Sequence, residues 1–256
     1  MLKALLARMR QGYRTKPFPY EPPQMPERFA GLPELAAGCA EGCAACADAC
    51  PTEAIRRAAD GLPELDLGRC LFCRRCERAC ASGHVAFTRQ HDLAAFTREG
   101  LVRRPGMGYS HVLQPDDGIR RLIGRSLKIR QVSAGGCAAC ELDVNVLNTL
   151  AWDMGRFGIQ MVASPRHADC ILVTGPVSRN MLLALRKTWD AVPRPAFVIA
   201  CGTCAISGGI YAGSPQVCDG VTDILKPDLY VPGCPPHPAV LLEALIRFMG
   251  RRLRND

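Results

Sequence analysis

Cys39-Ala-Glu-Gly-Cys43-Ala-Ala-Cys46-Ala-Asp-Ala-Cys50-Pro51 decides how the first third of the chain is built. A second run answers it, Cys70-Leu-Phe-Cys73-Arg-Arg-Cys76-Glu-Arg-Ala-Cys80. Such short spacings bend a backbone around one compact ligand. Thiolates are soft ligands that suit iron–sulfur clusters. A third quartet, Cys137, Cys140, Cys204 and Cys234, is dispersed over the rest of the chain, in loops that carry Gly or Pro. The sequence Gly-Leu-Pro-Glu-Leu occurs at residues 31–35 and again at 61–65, each time just ahead of a cysteine run. That repeat predicts two similar units joined in a pseudo-twofold module.

Cysteines at this density suit either the disulfides of a small secreted domain or metal sites in a reducing compartment. Residues 2–9 hold only a short apolar stretch, broken by Lys3 and Arg8, with no cleavage pattern behind it. No twin-arginine pair opens the chain, and no run of about 18 apolar residues is present. The expectation is a reducing, cytoplasmic setting and metal ligation. Zinc is the rival ion, but it prefers four-cysteine sites made from separated pairs.

At 256 residues the chain is expected to hold more than one domain. The hydrophobic fraction of 48% supports a core, while aromatics at 6% mean aliphatic packing supplemented by metal ligation. Residues 2–10 place Leu2, Leu5, Leu6 and Met9 opposite Lys3, Arg8 and Arg10, a short basic amphipathic helix for a membrane surface or a partner. Pro17, Pro19, Pro22, Pro23 and Pro26 then read as an extended arm rather than a core segment. Residues 84–126 mix charge, Gly and Pro without periodicity and read as a linker. From about 127 apolar strands alternate with helices: strands at 127–134, 158–164, 170–176, 196–202 and 229–236, helices at 140–154, 181–190 and 239–254. That order predicts a parallel, doubly wound sheet. In such sheets ligands sit beyond the carboxyl ends of the strands, near the switch in strand order. Cys137 and Cys140 follow the first of these strands, and Cys204 and Cys234 follow later ones, so all four are expected at one edge.

The two runs carry the signature of a bacterial two-cluster ferredoxin. Two departures stand out: Cys39 and Cys43 are separated by one residue more than usual, and Ala81 replaces a proline. GGCAACELDV, RFGI, VASPRHADCILVTGPVSRN, CGTCAISGG and VPGCPPHP, over roughly residues 123–245, resemble the small subunit of membrane-bound, energy-converting nickel–iron hydrogenases. That family is kin to the smallest cluster-bearing subunit of complex I, the 20 kDa PSST type. The part before them is similar to the two-cluster ferredoxin subunit of formate hydrogenlyase-type complexes, so the polypeptide resembles a fusion of two adjacent subunits.

The resemblance implies a fold and a role. The fold is an α+β two-cluster ferredoxin module followed by an α/β, flavodoxin-like domain with a parallel sheet. The boundaries read as an N-terminal helix and arm over 1–30, the ferredoxin module over 31–92, a linker over 93–122 and the small-subunit domain over 123–256. Crossed ligation would give one 4Fe–4S cluster to Cys39, Cys43, Cys46 and Cys80, and a second to Cys70, Cys73, Cys76 and Cys50. Cys137, Cys140, Cys204 and Cys234 would hold the proximal cluster, beside a nickel–iron site in a separate large subunit. Complex I relatives usually carry adjacent cysteines where this chain has Cys137-x2-Cys140, which favours the hydrogenase branch.

Glu141 matches a glutamate that hydrogenases use to pass protons. Its structural alternative is stabilisation of a helix's first turn. The role implied is an electron-transfer subunit, inactive alone, peripheral on the inner face of the cell membrane. Its partners would be a large subunit, an electron donor or acceptor and membrane-arm proteins. A complex I-like or nickel-free relative serving a quinone is the nearer alternative; a non-redox zinc or binding protein is the distant one. The formal charge of +8 does not point to nucleic acid, since three clusters of about −2 each would bring it to roughly +2 and no nucleic-acid motif is present. Cys170, Cys201 and Cys218 read as leftover, mostly buried thiols, His167 and His237 as structural, and residues 251–256 as a solvated helix end.

Overall fold

Three sheets and eight α-helices follow from these patterns among the residues that the computed structural model describes, namely 2–38, 43–59, 61–107 and 117–251. In chain order, α1 (Leu2–Gln11) is followed by β1 (Pro33–Leu35), α2 (Ala45–Asp48), β2 (Ile55–Arg57), β3 (Pro63–Asp66), α3 (Arg75–Ala79), β4 (Val85–Phe87) and β5 (Val102–Arg103). Then come α4 (Asp117–Ile123), β6 (Leu127–Ser133), α5 (Ala139–Val146), β7 (Ile159–Met161), β8 (Cys170–Thr174) and α6 (Arg179–Asp190). The last elements are β9 (Phe197–Cys201), α7 (Thr203–Ser207), β10 (Leu229–Val231) and α8 (Pro238–Phe248).

β10-β9-β8-β6-β7 form one wholly parallel sheet. Counted within this half, the order is 2-1-3-4-5, the flavodoxin-type arrangement, and the switch falls between β6 and β8. Every residue of β8, β9 and β10 is buried, as strands covered on both faces require. Helices supply the cover: α6 buries Leu185 and exposes Leu183, whereas α8 is buried along its whole length. Each fully buried Leu or Ile of α8 contributes roughly 1.5–3 kcal/mol.

The cysteine-rich part folds around two small antiparallel sheets, β1-β4 and β2-β3-β5. α2 and α3 pack against each other between them. Glu64 on β3 is buried and takes Arg56 at 2.8 Å and Arg104 at 2.6 Å, which hold its carboxyl below the usual carboxylate range.

Three expectations change. The helix expected over 140–154 stops at Val146, because the Thr149 hydroxyl takes the Val146 carbonyl at 2.7 Å and competes with the helical ladder. A 3-10 turn over Met154–Phe157 follows and ends at Gly158, φ 74°, where a Cβ would lie 2.4 Å from the Arg125 carbonyl oxygen. The stretch read as a linker carries β4 and β5, and Ala95 exchanges two backbone hydrogen bonds with Tyr230 beside β10, at 3.0 and 2.8 Å. Its paired pieces are two or three residues long, too short to show periodicity. The proline-rich arm is also no free spacer. Phe18 is 3% exposed, with its ring 6.1 Å from both Trp152 and His91, and Lys16 N–H donates to Ala151 O at 2.8 Å.

His91 Nε2 reaches Glu243 Oε2 at 2.8 Å, while Arg247 Nε donates to Glu243 Oε1 at 3.0 Å. A residue of the cysteine-rich half thus pairs with the buried face of α8. By contrast α1 exposes all its residues, including Leu2, Leu5, Leu6 and Met9. No helix of the described residues is long and apolar enough to cross a membrane. Residues 252–256 of the expected helix end lie outside the described residues.

Candidate metal centres

The β2–β3 hairpin and the loop before α3 bring Cys50 to Cys70, Cys73 and Cys76; the four line one cleft with Pro51, Leu65 and Phe87. Phe72 and Arg74 adopt left-handed backbone, φ 54° and 59°, which curls the 70–76 loop over the cleft. Curling aims amides at sulfur: Phe72 N–H donates to Cys70 Sγ at 3.3 Å, and Ala54 N–H to Cys50 Sγ at 3.2 Å. Burial pushes the Cys76 thiol up to about 11 and Cys70 further, and the neighbouring thiols add to both shifts. Thiols that resist ionising together are stabilised as thiolates by a cationic core. The donor set therefore fits an iron–sulfur cluster.

Of the first expected quartet, Cys43 and Cys46 line a second cleft with Ile55, Arg56, Arg57 and Pro63. Arg57 also donates to the Cys43 carbonyl at 2.8 Å. Cys80 lies outside that lining, at the end of α3. Its thiol sits below the ordinary value, first because of the Ser82 hydroxyl 3.6 Å away. Cys39 lies outside the described residues. Among those described, no three His, Cys, Asp or Glu side chains are grouped as ligands of a single metal ion.

Cys137, Cys140, Cys204 and Cys234 meet at the carboxyl edge of the parallel sheet. Cys137 and Cys140 come from the β6–α5 loop at the switch, Cys204 from α7 after β9 and Cys234 from the loop after β10. Burial pushes Cys204 up to about 12, and charge on Cys234, Cys140 and Cys137 pushes the same way. Cys234 rises through burial, then through Cys140, Cys137 and, from the other half of the chain, Cys73. Backbone makes room for these sulfurs. A Cβ on Gly202, φ +89°, would lie 2.5 Å from Cys140 Sγ. A cavity of about 310 Å³ opens beside Cys234, with Arg28, Phe29, Phe72, Asp143 and His237 among its walls. Burial raises the Asp143 carboxyl there.

Glu141 stands in the first turn of α5, and its Oε1 accepts from Ser133 Oγ at 2.6 Å and from Thr174 Oγ1 at 2.7 Å. Those hydroxyls end β6 and β8, so Glu141 is fixed in the switch crevice, as well as placed where a helix dipole favours it.

Sequence reasoning reads Cys201 as a small buried hydrophobe. It is fully buried, but its thiol hydrogen-bonds Cys140, which raises it because the neutral form is the donor. The sequence signals are its place as the last residue of an apolar strand and its x2 spacing from Cys204. Cys170 sits in β8, with its sulfur 3.9 Å from the Lys128 carbonyl, and Cys218 is partly buried. His167 is exposed; His237 Nδ1 accepts from Ala239 N–H at 3.1 Å, capping α8.

Residues 137–248 match the family described as NADH ubiquinone oxidoreductase, 20 Kd subunit. A probable membrane-bound hydrogenase subunit, mbhJ, of Pyrococcus furiosus is 37% identical over 49% of this chain and 75% of its own length. The chain belongs to the 20 kDa-subunit family of NADH:ubiquinone oxidoreductase. This 20 kDa-type chain is accordingly an oxidoreductase subunit. An NADH-quinone oxidoreductase subunit of Desulfovibrio desulfuricans is 39% identical over 59% of the chain and 80% of its own length. Formate hydrogenlyase subunit 7 of Escherichia coli is 40% identical over 50% of each. Among solved structures, one chain of the membrane-bound sulfane sulfur reductase, an archaeal respiratory membrane complex, superposes with a TM-score of 0.46 at 30% identity, covering 52% of this chain and 74% of that one. The family match spans the switch-point quartet and α8.

Proposed function

We propose that this chain is the electron-carrying subunit of a membrane-associated, energy-converting nickel–iron hydrogenase complex. Its partners would be a large subunit bearing the nickel–iron site, an electron donor or acceptor, and membrane-arm proteins on the inner face of the cell membrane. The ligands would be Cys39, Cys43, Cys46 and Cys80; Cys50, Cys70, Cys73 and Cys76; and Cys137, Cys140, Cys204 and Cys234. The first two sets would belong to a ferredoxin-type module over 31–92. Three 4Fe–4S clusters would supply one-electron storage at steps along the chain.

The observation that carries the reading is the meeting of Cys137, Cys140, Cys204 and Cys234 at the edge of a doubly wound sheet, where such folds place their ligands. The cleft holding Cys50 with Cys70, Cys73 and Cys76 adds a neighbouring site. Glu141, held beside the switch by two hydroxyls, would pass a proton between the sheet edge and a docked partner. The x2 spacing of Cys137 and Cys140 favours the hydrogenase branch. Relatives named as NADH-quinone oxidoreductase subunits favour a second reading, in which the large subunit lacks nickel and electrons reach a quinone.

Iron, acid-labile sulfide and nickel analysis tests this on the anaerobically purified complex. About twelve irons with equal sulfide in this chain, nickel in the partner and hydrogen turnover are expected. Full iron without nickel or hydrogen turnover selects the quinone-linked reading. Zinc without sulfide overturns both.

A further inference from the structure

Thr203 joins the two halves of the molecule beside both quartets. It follows Gly202, precedes Cys204 and is 1% exposed. Its hydroxyl donates across the seam to the carbonyl oxygen of Cys70 at 2.8 Å and leans on the Gly233 carbonyl at 3.1 Å. Its amide donates to that Gly233 carbonyl at 2.9 Å, and Gly233 directly precedes Cys234. One residue therefore links Cys70 of the Cys50/Cys70/Cys73/Cys76 quartet to Gly233, the neighbour of Cys234, and is itself the neighbour of Cys204.

The seam around Thr203 is close-packed. Ser207 Oγ donates to Gly68 O at 2.8 Å, one helical turn further along α7. A Cβ on Gly68 would lie 2.8 Å from Ile206 Cγ2 and 2.9 Å from Arg98 Nη1, so a side chain there would force these neighbours to move. Arg98 is itself held by both carboxylate oxygens of Asp66. Backbone carbonyls of the cysteine-rich half thus lie against the side chains of α7.

We propose that Thr203 is a positioning residue for electron passage between these two quartets, its hydroxyl closing a bonded route from the Cys70 carbonyl through Thr203 into the Cys204 backbone. Electron tunnelling falls off more slowly along covalent and hydrogen bonds than across van der Waals gaps. A route of covalent bonds with a single hydrogen bond in it therefore competes with a direct jump across the seam, where Cys73 and Cys234 face each other. One electron leaves the Cys50/Cys70/Cys73/Cys76 site, which is oxidised by one unit, and arrives at the Cys137/Cys140/Cys204/Cys234 site, which is reduced by one. No proton moves and no covalent bond changes. The inference rests on the reading of both quartets as cluster sites and adds the link between them.

The test uses the full cluster-loaded chain, its Thr203→Val and Thr203→Ser variants and a Ser207→Ala control. A photochemical one-electron reductant starts the transfer, and freeze-quench EPR follows the signal of each cluster. Valine keeps the shape of threonine without the hydroxyl. Thr203→Val should keep wild-type iron and sulfide content and each cluster's own EPR line, while equilibration between the two sites slows several-fold. Thr203→Ser should restore the rate, and Ser207→Ala should leave it at the wild-type value. Equal rates in wild type and Thr203→Val overturn the inference, as does a Ser207→Ala variant that slows as much. Should the valine variant lose a cluster, Thr203→Ala is the second hydroxyl-free variant, held to the same outcome. A wild-type chain without the two EPR signals sinks the cluster reading itself, a result distinguishable from unchanged rates in a fully loaded protein.

Discussion

Lowering the pH from about 7 to about 5 should loosen the seat of α8 through His237, because the folded chain resists protonating it. Burial, then the nearby Lys16 ammonium and His91, lower this imidazole from 6.5 to about 4. Its ring stands edge-on to Phe29 at 5.4 Å and to Trp152 at 5.9 Å, and Nδ1 is occupied as acceptor from Ala239 N–H. The folded value lies below the unfolded one, so the unfolded chain takes up the proton first. Stability is therefore intact above about pH 6.5, falls as pH drops toward about 4, and stays lost below that. A displacement of about 2.5 units corresponds to at most ~3 kcal/mol, of which about 2 kcal/mol would be lost by pH 5. The ring keeps some contact with water, which reduces the loss at pH 5 to about 1 kcal/mol. His237→Asn keeps an N-cap acceptor and does not titrate in this range. Urea unfolding of both proteins, followed by tryptophan fluorescence across that range, isolates the effect, because acid damage elsewhere is common to the two. Wild type should lose stability relative to the variant by about 1 kcal/mol at pH 5. Parallel pH profiles for the two proteins would refute the reasoning.

Cys204→Ser should abolish the EPR signal of the switch-point cluster and leave the Cys50/Cys70/Cys73/Cys76 signal in place, with iron falling by about four; loss of both signals would contradict separate sites. Cys201→Ala removes the thiol that donates to Cys140, so the midpoint potential of that cluster should fall by on the order of tens of millivolts in a redox titration, and an unchanged potential would dismiss the hydrogen bond as a tuning element. Leu172→Ala, in the middle of fully buried β8, should cost about 2–5 kcal/mol by denaturant unfolding, whereas Leu183→Ala on the exposed side of α6 should cost well under 1 kcal/mol.

What could be read in advance was whatever the chain encodes over a few neighbouring residues. The apolar runs of β8 and β9 announce strands covered on both faces, and the helices between them dictate parallel crossovers. Cys70, Cys73 and Cys76 share a turn of backbone, so their grouping is local. Cys50 reaches them only through the β2–β3 hairpin, a placement that resemblance suggested and spacing could not. The misread segments have no period to detect. β5 is two residues long, and the Ala95–Tyr230 bridge is a single pair. Phe18 looked like part of a spacer because prolines surround it, yet its ring is bracketed by Trp152 and His91, more than seventy residues away in either case.

Long-range partners of this kind also tie the cysteine-rich half to the parallel-sheet half. A linker joining independent domains would leave the facing surfaces polar and wet. Here α8, the last helix of the parallel-sheet half, is buried from Pro238 to Phe248, and its Glu243 carboxylate is shared between Arg247 and His91. Removing either partner of a buried charge is costly, because the remaining charge stays out of water. Loosening the cysteine-rich half would therefore strand Glu243 with Arg247 alone, open the Thr203–Cys70 hydrogen bond and unpair Ala95 from Tyr230 together. Of those contacts, the Thr203–Cys70 hydrogen bond lies beside both quartets of thiols, between Cys70 and the residue preceding Cys204.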